Sequence, residues 1–530
     1  MRTNPRRKST VCVVVGKSLP LKGPAIPLLC FYVGLQLSFP YYLFSLYHSP
    51  TSSSSPLLNE SLLPAFATLT EYCHSRIFPY GSYGILPYTQ YGLLPVMQLA
   101  SVGGVWLIEV FMSYVSATLA LAYHEVDKKG GVGRVGVGRI KRVVITIALV
   151  LAYGGCRARW NTWEGADNAI KGGTVRVAGV WLKNTMVVRE QLLRHHLGIV
   201  MDGKEGPEER DWEGEKWKEI QEWVLEDIEI LREEVAKEAS AGATIVMTPE
   251  LSLVTFQGPG VPPSSPLSTP SVLSALAKIA SDNNVHLGVG IGYNEPFVKV
   301  PNLSKFTETV LEKENGMMGV ESNRFVLLSP NTVNTETYQP EVNGPQPHNN
   351  VALDYIKYNP VPIIEGPFAV LGNKTIPTAT VPLSPVQPTR IGSCVCFDME
   401  HPWHVHQLGL KTDLVLNPSY DWPGLNPYHA RITAFRAVEL GSSVFHHCQA
   451  GTTVGYDHLG NQLGHGDYFS PTTVGDGCKP LKPEIRCRPG GVVANLPIKG
   501  VSTIYAMVGE WVPIVCAAWT ARVVWGKTRG

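Results

Sequence analysis

The sequence has no surplus of either charge: 45 Lys and Arg stand against 44 Asp and Glu. Composition therefore gives no basis for a nucleic-acid-binding face. It has no disulfide framework either, because ten cysteines are scattered over 530 residues. Cys478 and Cys487 share a Gly/Pro-rich stretch and would pair only in an oxidising compartment; unpaired thiols are the equal alternative. A phosphate-binding loop is missing, since Gly288-Val289-Gly290-Ile291-Gly292 lacks the Lys-Ser/Thr and reads as a close-packed strand. Neither Cys-x-x-Cys nor His-Glu-x-x-His accompanies His401, His404, His406, His446 and His447. A zinc site needs three or four converging ligands, so it is the weaker reading of these histidines. No internal repeat stands out.

Charge is also missing locally, from Pro24 to Asn59. Ile26 to Tyr47 could span a bilayer, which takes about 20 residues, although its prolines and tyrosines predict a broken or interfacial helix. Leu57 to Leu69 is apolar but holds Glu60 and Pro64, and stays unassigned. Phe78-Pro79-Tyr80-Gly81 is a turn of the kind found at membrane interfaces. Leu93 to Tyr123 is the clearest span; Glu109, its single charge, is either functional or paired within a bundle. Val143 to Gly155 is a short third run, and Val501 to Trp525, with Glu510 inside it, a last one. The expected protein is thus multi-pass: residues 1–160 form a membrane region with spans near 26–47, 93–123 and 143–155, and residues 501–526 a C-terminal transmembrane helix.

Lys128, Lys129, Arg134, Arg139, Lys141 and Arg142 make a basic, glycine-rich loop that the positive-inside rule places in the cytosol. Met1 to Leu21 is a poor signal peptide and reads as a basic cytosolic tail. The body from 171 to 500 would then lie on the non-cytosolic face. The acceptor triplets at Asn59, Asn302 and Asn373 would fit that face in a eukaryote.

That body alternates predicted strands (Thr174 to Trp181, Ala243 to Met247, Val285 to Gly292) with predicted helices (Glu213 to Ala241, Ser271 to Asn283). On the first helix Trp217, Ile220, Trp223, Val224, Ile228 and Leu231 share one face. The alternation argues for an α/β class. Residues 296–350, rich in Asn, Pro and Thr, read as an insertion or long loop.

Three stretches carry chemistry. Thr248-Pro249-Glu250 closes one apolar run, Lys357 follows another, and Arg390 to Val395 delivers Cys396 to a turn, Phe397-Asp398-Met399-Glu400-His401-Pro402. Alone, each residue is most simply a solvated carboxylate, a surface lysine or a buried thiol. Together, in this order and each near the end of a predicted strand, they resemble the nitrilase (carbon–nitrogen hydrolase) superfamily. The likeness extends through Asn417-Pro418-Ser419-Tyr420-Asp421-Trp422 and His429 to Phe435-Arg436-Ala437-Val438-Glu439-Leu440-Gly441, and it is greatest to the membrane-bound apolipoprotein N-acyltransferases, because of Leu94 to Trp106.

The resemblance implies a nitrilase-type α-β-β-α sandwich over 171–500, with Cys396 as nucleophile, Glu250 as base and Lys357 stabilising the oxyanion and depressing the thiol pKa. Glu365 would orient the lysine; Phe397, Asp398 and Trp422 would support the site. It implies no cofactor and no metal. Cys396 would take an acyl chain from a phospholipid as a thioester and pass it to an amine acceptor, by analogy the N-terminus of a lipidated protein. The alternative is a membrane-anchored amidase acting on a small amide or nitrile. A Cys396–His401 dyad and a silent membrane-bound binding module are weaker readings.

Overall fold

A computed structural model describes residues 25–47, 56–129, 134–185, 215–256, 264–295, 320–331, 348–362, 365, 369–383, 388–422, 424–468, 491–498 and 500–528. Cys478, Cys487, Asn302 and the basic stretch Met1 to Leu21 lie outside them. Among the described residues four long helices come first: α1 (Ala25–Tyr47), α2 (Pro56–Ile77), α3 (Ala100–Lys129) and α4 (Arg134–Gly172). The body follows with β1 (Thr174–Val180), α5 (Glu215–Ser240), β2 (Ile245–Met247), β3 (Leu253–Phe256), α6 (Thr269–Asp282), β4 (His286–Glu295), β5 (Val320–Leu328), β6 (Val351–Ile356), β7 (Thr378–Val381) and β8 (Thr389–Ser393). It ends with β9 (Leu414–Tyr420), α7 (Tyr428–Leu440), β10 (Ser443–Gln449), β11 (Thr452–Tyr456), β12 (Gln462–Asp467), β13 (Gly491–Pro497) and α8 (Trp511–Thr528).

The strands form two sheets, one in the order β13-β1-β2-β4-β5-β6 with β3 added to β4, the other β12-β11-β10-β9-β8-β7. Period-two alternation shows how they stack. Val175 and Val177 of β1, Ile245 and Met247 of β2, and Phe325 and Leu327 of β5 belong to one core with Ile391, Val415 and Phe445 of the second sheet. Their neighbours Ala178, Val246 and Val326 turn the other way, into a second core with Val224, Ile228 and Leu231 of α5 and Leu276 of α6. Trp181 Nε1 donates to the Cys448 carbonyl at 2.8 Å, a direct bond between the sheets. Helix α7 covers the outer face of the second sheet, so the body is a four-layer α-β-β-α sandwich.

The predicted elements of the body appear within a few residues of their expected ends. Residues 296–350 are the exception. They contain β5, an inner strand paired with both β4 and β6, where a loop was expected. The Gly288-Val289-Gly290-Ile291-Gly292 run is a strand, and a Cβ on Gly290 would lie 2.7 Å from Glu250 Cα. Glycine here lets the Glu250 turn press against the sheet.

Helices α1 to α4 and α8 form a bundle under the sandwich. The unassigned run 57–69 lies inside α2: Glu60 is fully buried and paired with Arg139 and Arg142, so its charge is met within the protein. Residues 134–142, expected as a loop, are the first turns of α4. The Asn59 triplet lies in the first turns of α2, at the end of the bundle that carries Arg139 and Arg142. Asn373 is exposed on the sandwich. Among the described residues one helix, Ala100–His124, is long and apolar enough to cross a membrane; Trp511–Trp525 is a shorter apolar helix. Glu109, on the former, is buried and accepts from Ser113 at 2.8 Å, which matches the paired-in-bundle alternative.

The joint between bundle and sandwich is built at a kink. Gly103 and Gly104 leave the helical region of the backbone inside α3, Gly104 with φ +66°. The freed Val105 amide donates to Glu439 Oε1 of α7 at 2.8 Å. Glu439 also pairs with Arg436, which donates to the Tyr88 hydroxyl. A Cβ on Gly104 would lie 2.5 Å from the Tyr505 ring. Gly104→Ala is therefore expected to destabilise the protein by about 1–3 kcal/mol, from the positive φ and the forced contact together. A lowered thermal midpoint in detergent checks this; an unchanged midpoint would mean that the kink is free to relax.

Candidate active site

Each station ends a strand for a local reason. After β2, Thr248-Pro249-Glu250 turns, and Leu251 takes a positive φ of 53° to reverse the chain. Lys357 directly follows β6. Cys396 opens a tight 3-10 turn, Cys396–Glu400, with φ +47°, a costly value for a side chain. Asp398 holds that turn by accepting from the Val395 amide at 3.2 Å. It also accepts from the Tyr355 hydroxyl at 2.7 Å and from Asn359 N and Nδ2 at 2.9 and 2.8 Å. One buried carboxylate thus ties the Cys396 turn to the loop that carries Lys357.

The expected residues converge. Lys357 Nζ donates to Glu250 Oε1 at 2.8 Å and reaches Glu365 Oε2 at 2.8 Å. Cys396, Glu250 and Lys357 are 3%, 1% and 3% exposed, so their charges act with little screening by water. Cys396 Sγ reaches the Tyr420 carbonyl at 3.9 Å and lies near the Glu250 carboxylate, whose Oε2 has no hydrogen-bond partner. Burial raises the Glu250 pKa, against the pull of Lys357. Burial alone would lower the Lys357 pKa, but Cys396, Glu250 and Glu365 around it raise it well above the ordinary lysine value, keeping it an ammonium.

The expected pull of Lys357 on the thiol is present, and it is outweighed. Burial and the carboxylates of Glu250, Asp421 and Glu365 push the other way, and the Cys396 pKa rests well above its ordinary value. Attack by this thiol on a carbonyl would need a base to take its proton, and Glu250 is the carboxylate beside it.

Phe397 sits against the His401 ring, 5.4 Å between centroids. Trp422 is half-buried just past β9. A small pocket on the lysine side is lined by Glu321, Asn323, Lys357 and Glu365. Asn323 was not foreseen: on β5 it donates to Glu250 Oε1 at 2.6 Å, and its carbonyl accepts from Lys357 N at 2.9 Å.

Of the histidines weighed for metal, His446 lies with Asp421 and Cys448, their ligand atoms within 4.8 Å of one another, and the others do not join them. His404 Nε2 bonds the Tyr355 hydroxyl, His406 Nε2 the Tyr505 carbonyl, His446 Nδ1 the Asn417 amide and His447 Nε2 the Val180 carbonyl. His401 has no hydrogen bond at Nε2 and packs on Phe397 and Trp403 rather than forming a dyad with Cys396. The histidine beside the sulfur is His429. A ring nitrogen of His429, an Asp421 carboxylate oxygen and Cys396 Sγ lie within 4.8 Å of one another. His429 and Asp421 form an ion pair at 2.7 Å, which already occupies the facing atoms. Sequence spacing gave no sign of this pair, although both residues fall within the stretches that carry the resemblance.

No protein-family model and no curated protein matches the chain. Among solved structures it is similar to an amidase from Nesterenkonia sp., with 17% identity and a TM-score of 0.37, covering 66% of this chain and 97% of that one. It is similar, at 17% identity and a TM-score of 0.37, to a mutant of that amidase bearing the result of Michael addition of acrylamide at the active site cysteine, covering 65% of this chain and 99% of that one. A further mutant, described as a Nesterenkonia AN1 amidase from the nitrilase superfamily, matches with 17% identity and a TM-score of 0.35, covering 63% of this chain and 93% of that one.

Proposed function

We propose that this protein is a multi-pass membrane N-acyltransferase that works through a Cys396 thioester. The observation that carries the reading is the placement of the Glu250–Lys357–Cys396 site directly on an apolar helical bundle. The Glu400 carbonyl, in the nucleophile's own turn, accepts from Ser82 N at 2.6 Å and Ser82 Oγ at 2.8 Å, on the segment joining α2 to α3. Among the described residues, large exposed apolar side chains crowd the helices and their connections, for example Phe31, Tyr42, Val144, Leu149, Ile514 and Trp525. On the sandwich only Leu225, Leu410 and Leu463 are of that kind. An apolar outer surface of this extent needs a nonaqueous neighbour, and lipid is the simplest. The sandwich would then stand on the membrane surface, opposite the basic end of the bundle.

In the first half-reaction Cys396 Sγ attacks the ester carbonyl of a phospholipid as Glu250 takes the thiol proton. The Lys357 ammonium stabilises the oxyanion. The C–O bond breaks, and the lysolipid leaves as an alcohol with the proton from Glu250. In the second, an amine attacks the thioester carbonyl and yields a proton to Glu250. The C–S bond breaks with its electron pair on sulfur, and the proton returns to Cys396. The acceptor by resemblance is the N-terminus of a lipidated protein.

The test is to incubate detergent-purified protein with a phospholipid labelled in its acyl chain and a lipopeptide amine. Lysolipid and N-acyl peptide should appear in equal amounts and vanish in Cys396→Ala. Cys396-dependent ammonia release from small amides or nitriles, with no lysolipid, would sink the proposal and leave an amidase.

A further inference from the structure

Behind the nucleophile lies a buried charged cluster that the two half-reactions above do not use. Asp421 directly follows β9, His429 stands in the first turn of α7, and Glu400 closes the Cys396 turn; all three are at most 2% exposed. His429 Nδ1 meets Asp421 Oδ1 at 2.7 Å, and His429 Nε2 is 4.0 Å from Glu400 Oε1. His429 Nε2, Asp421 Oδ2 and both Glu400 oxygens have no hydrogen-bond partner. Buried polar atoms are seldom left this way, so a group of four points to charge held for a purpose. The other ionisable or aromatic faces turned to His429 are His446, with its ring 5.2 Å away, and Glu250 across the sulfur.

On the front side the sulfur has one cation, Lys357, and that cation is shared between Glu250 and Glu365. A thiolate formed there therefore meets less than a full compensating charge. We propose that His429, held by Asp421, is a positioning residue that presents a second positive charge to Cys396 from behind and makes the thiol easier to deprotonate. Burial would discharge the imidazole, but Asp421, Glu400 and Glu250 reverse this and carry its pKa up to about 9, so it is a cation at neutral pH. Removing its charge alone would leave Asp421 uncompensated within 4.8 Å of the sulfur. This inference takes Cys396 as the nucleophile, as in the reading above, but holds whether the acyl group goes to an amine or to water.

The experiment is the rate of Cys396 alkylation by iodoacetamide against pH, read by peptide mass, in wild type and His429→Gln. The exposed thiols of Cys73 and Cys156 serve as internal controls for folding and reagent. In His429→Gln the Cys396 profile should move up by about one pH unit, slowing alkylation at neutral pH about tenfold, with both controls unchanged. If the variant does not fold, the wild type still decides: its profile should show a shoulder near pH 9, where His429 gives up its proton. Superimposable profiles, or a wild-type rise with no shoulder, would overturn the proposal. Failure of acyl transfer would show in the lysolipid assay instead and would leave these profiles as they are.

Discussion

Cys396→Ala and Cys396→Gly are both expected to lose all turnover, and the glycine variant to unfold at the higher temperature. Turnover goes because no other group stands where the sulfur does; Cys394, two residues earlier, is fully buried in the sheet core. The stability difference isolates the backbone. Position 396 holds φ +47°, which costs a residue with a Cβ about 1–2 kcal/mol and glycine almost nothing. Asp398, through Val395, Asn359 and Tyr355, is what holds the turn in that shape. Thermal midpoints a few degrees apart in that order would show that the nucleophile is mounted on strained backbone. Equal midpoints would show that the turn relaxes once the sulfur is gone.

Lys357→Met should be the most damaging change to the site as a whole. It removes the oxyanion's cation, worth about 10²–10³ in rate by analogy with lost oxyanion donors. It also strands Glu250 and Glu365 in the interior without their counter-charge. Breaking a buried pair by deleting one partner costs about 3–5 kcal/mol, so the midpoint should fall as well. The double variant Lys357→Met with Glu365→Gln separates the two effects: stability should partly return and activity should not. Recovery of activity would mean that Lys357 serves only to neutralise Glu365.

The positions of the three stations were legible because each follows an apolar run that becomes a strand, so chain order alone put Glu250, Lys357 and Cys396 at strand ends. Glu365 came only through the resemblance, and the structure places it on Lys357. Asn323 was not legible, because β5 sits in a segment whose composition reads as loop, and Glu321 to Arg324 is a polar run on both faces of the strand: Glu321 and Asn323 line the pocket at Lys357, while Arg324 bonds Ser322 and Asp354. The net upward shift of the thiol was hidden too, since it depends on Asp421 and on burial, neither visible in spacing. In the bundle, Glu60 disguised α2. Its partners Arg139 and Arg142 lie 79 and 82 residues away, so a local reading sees a charge and not a pair.

The most direct test of the account is the mass of the Cys396-bearing peptide after detergent-purified protein meets phospholipid with no amine acceptor present. The account predicts an added acyl chain on Cys396 that hydroxylamine removes and a lipopeptide amine discharges. An unmodified Cys396 peptide, in protein that alkylates normally and hydrolyses small amides, would contradict it.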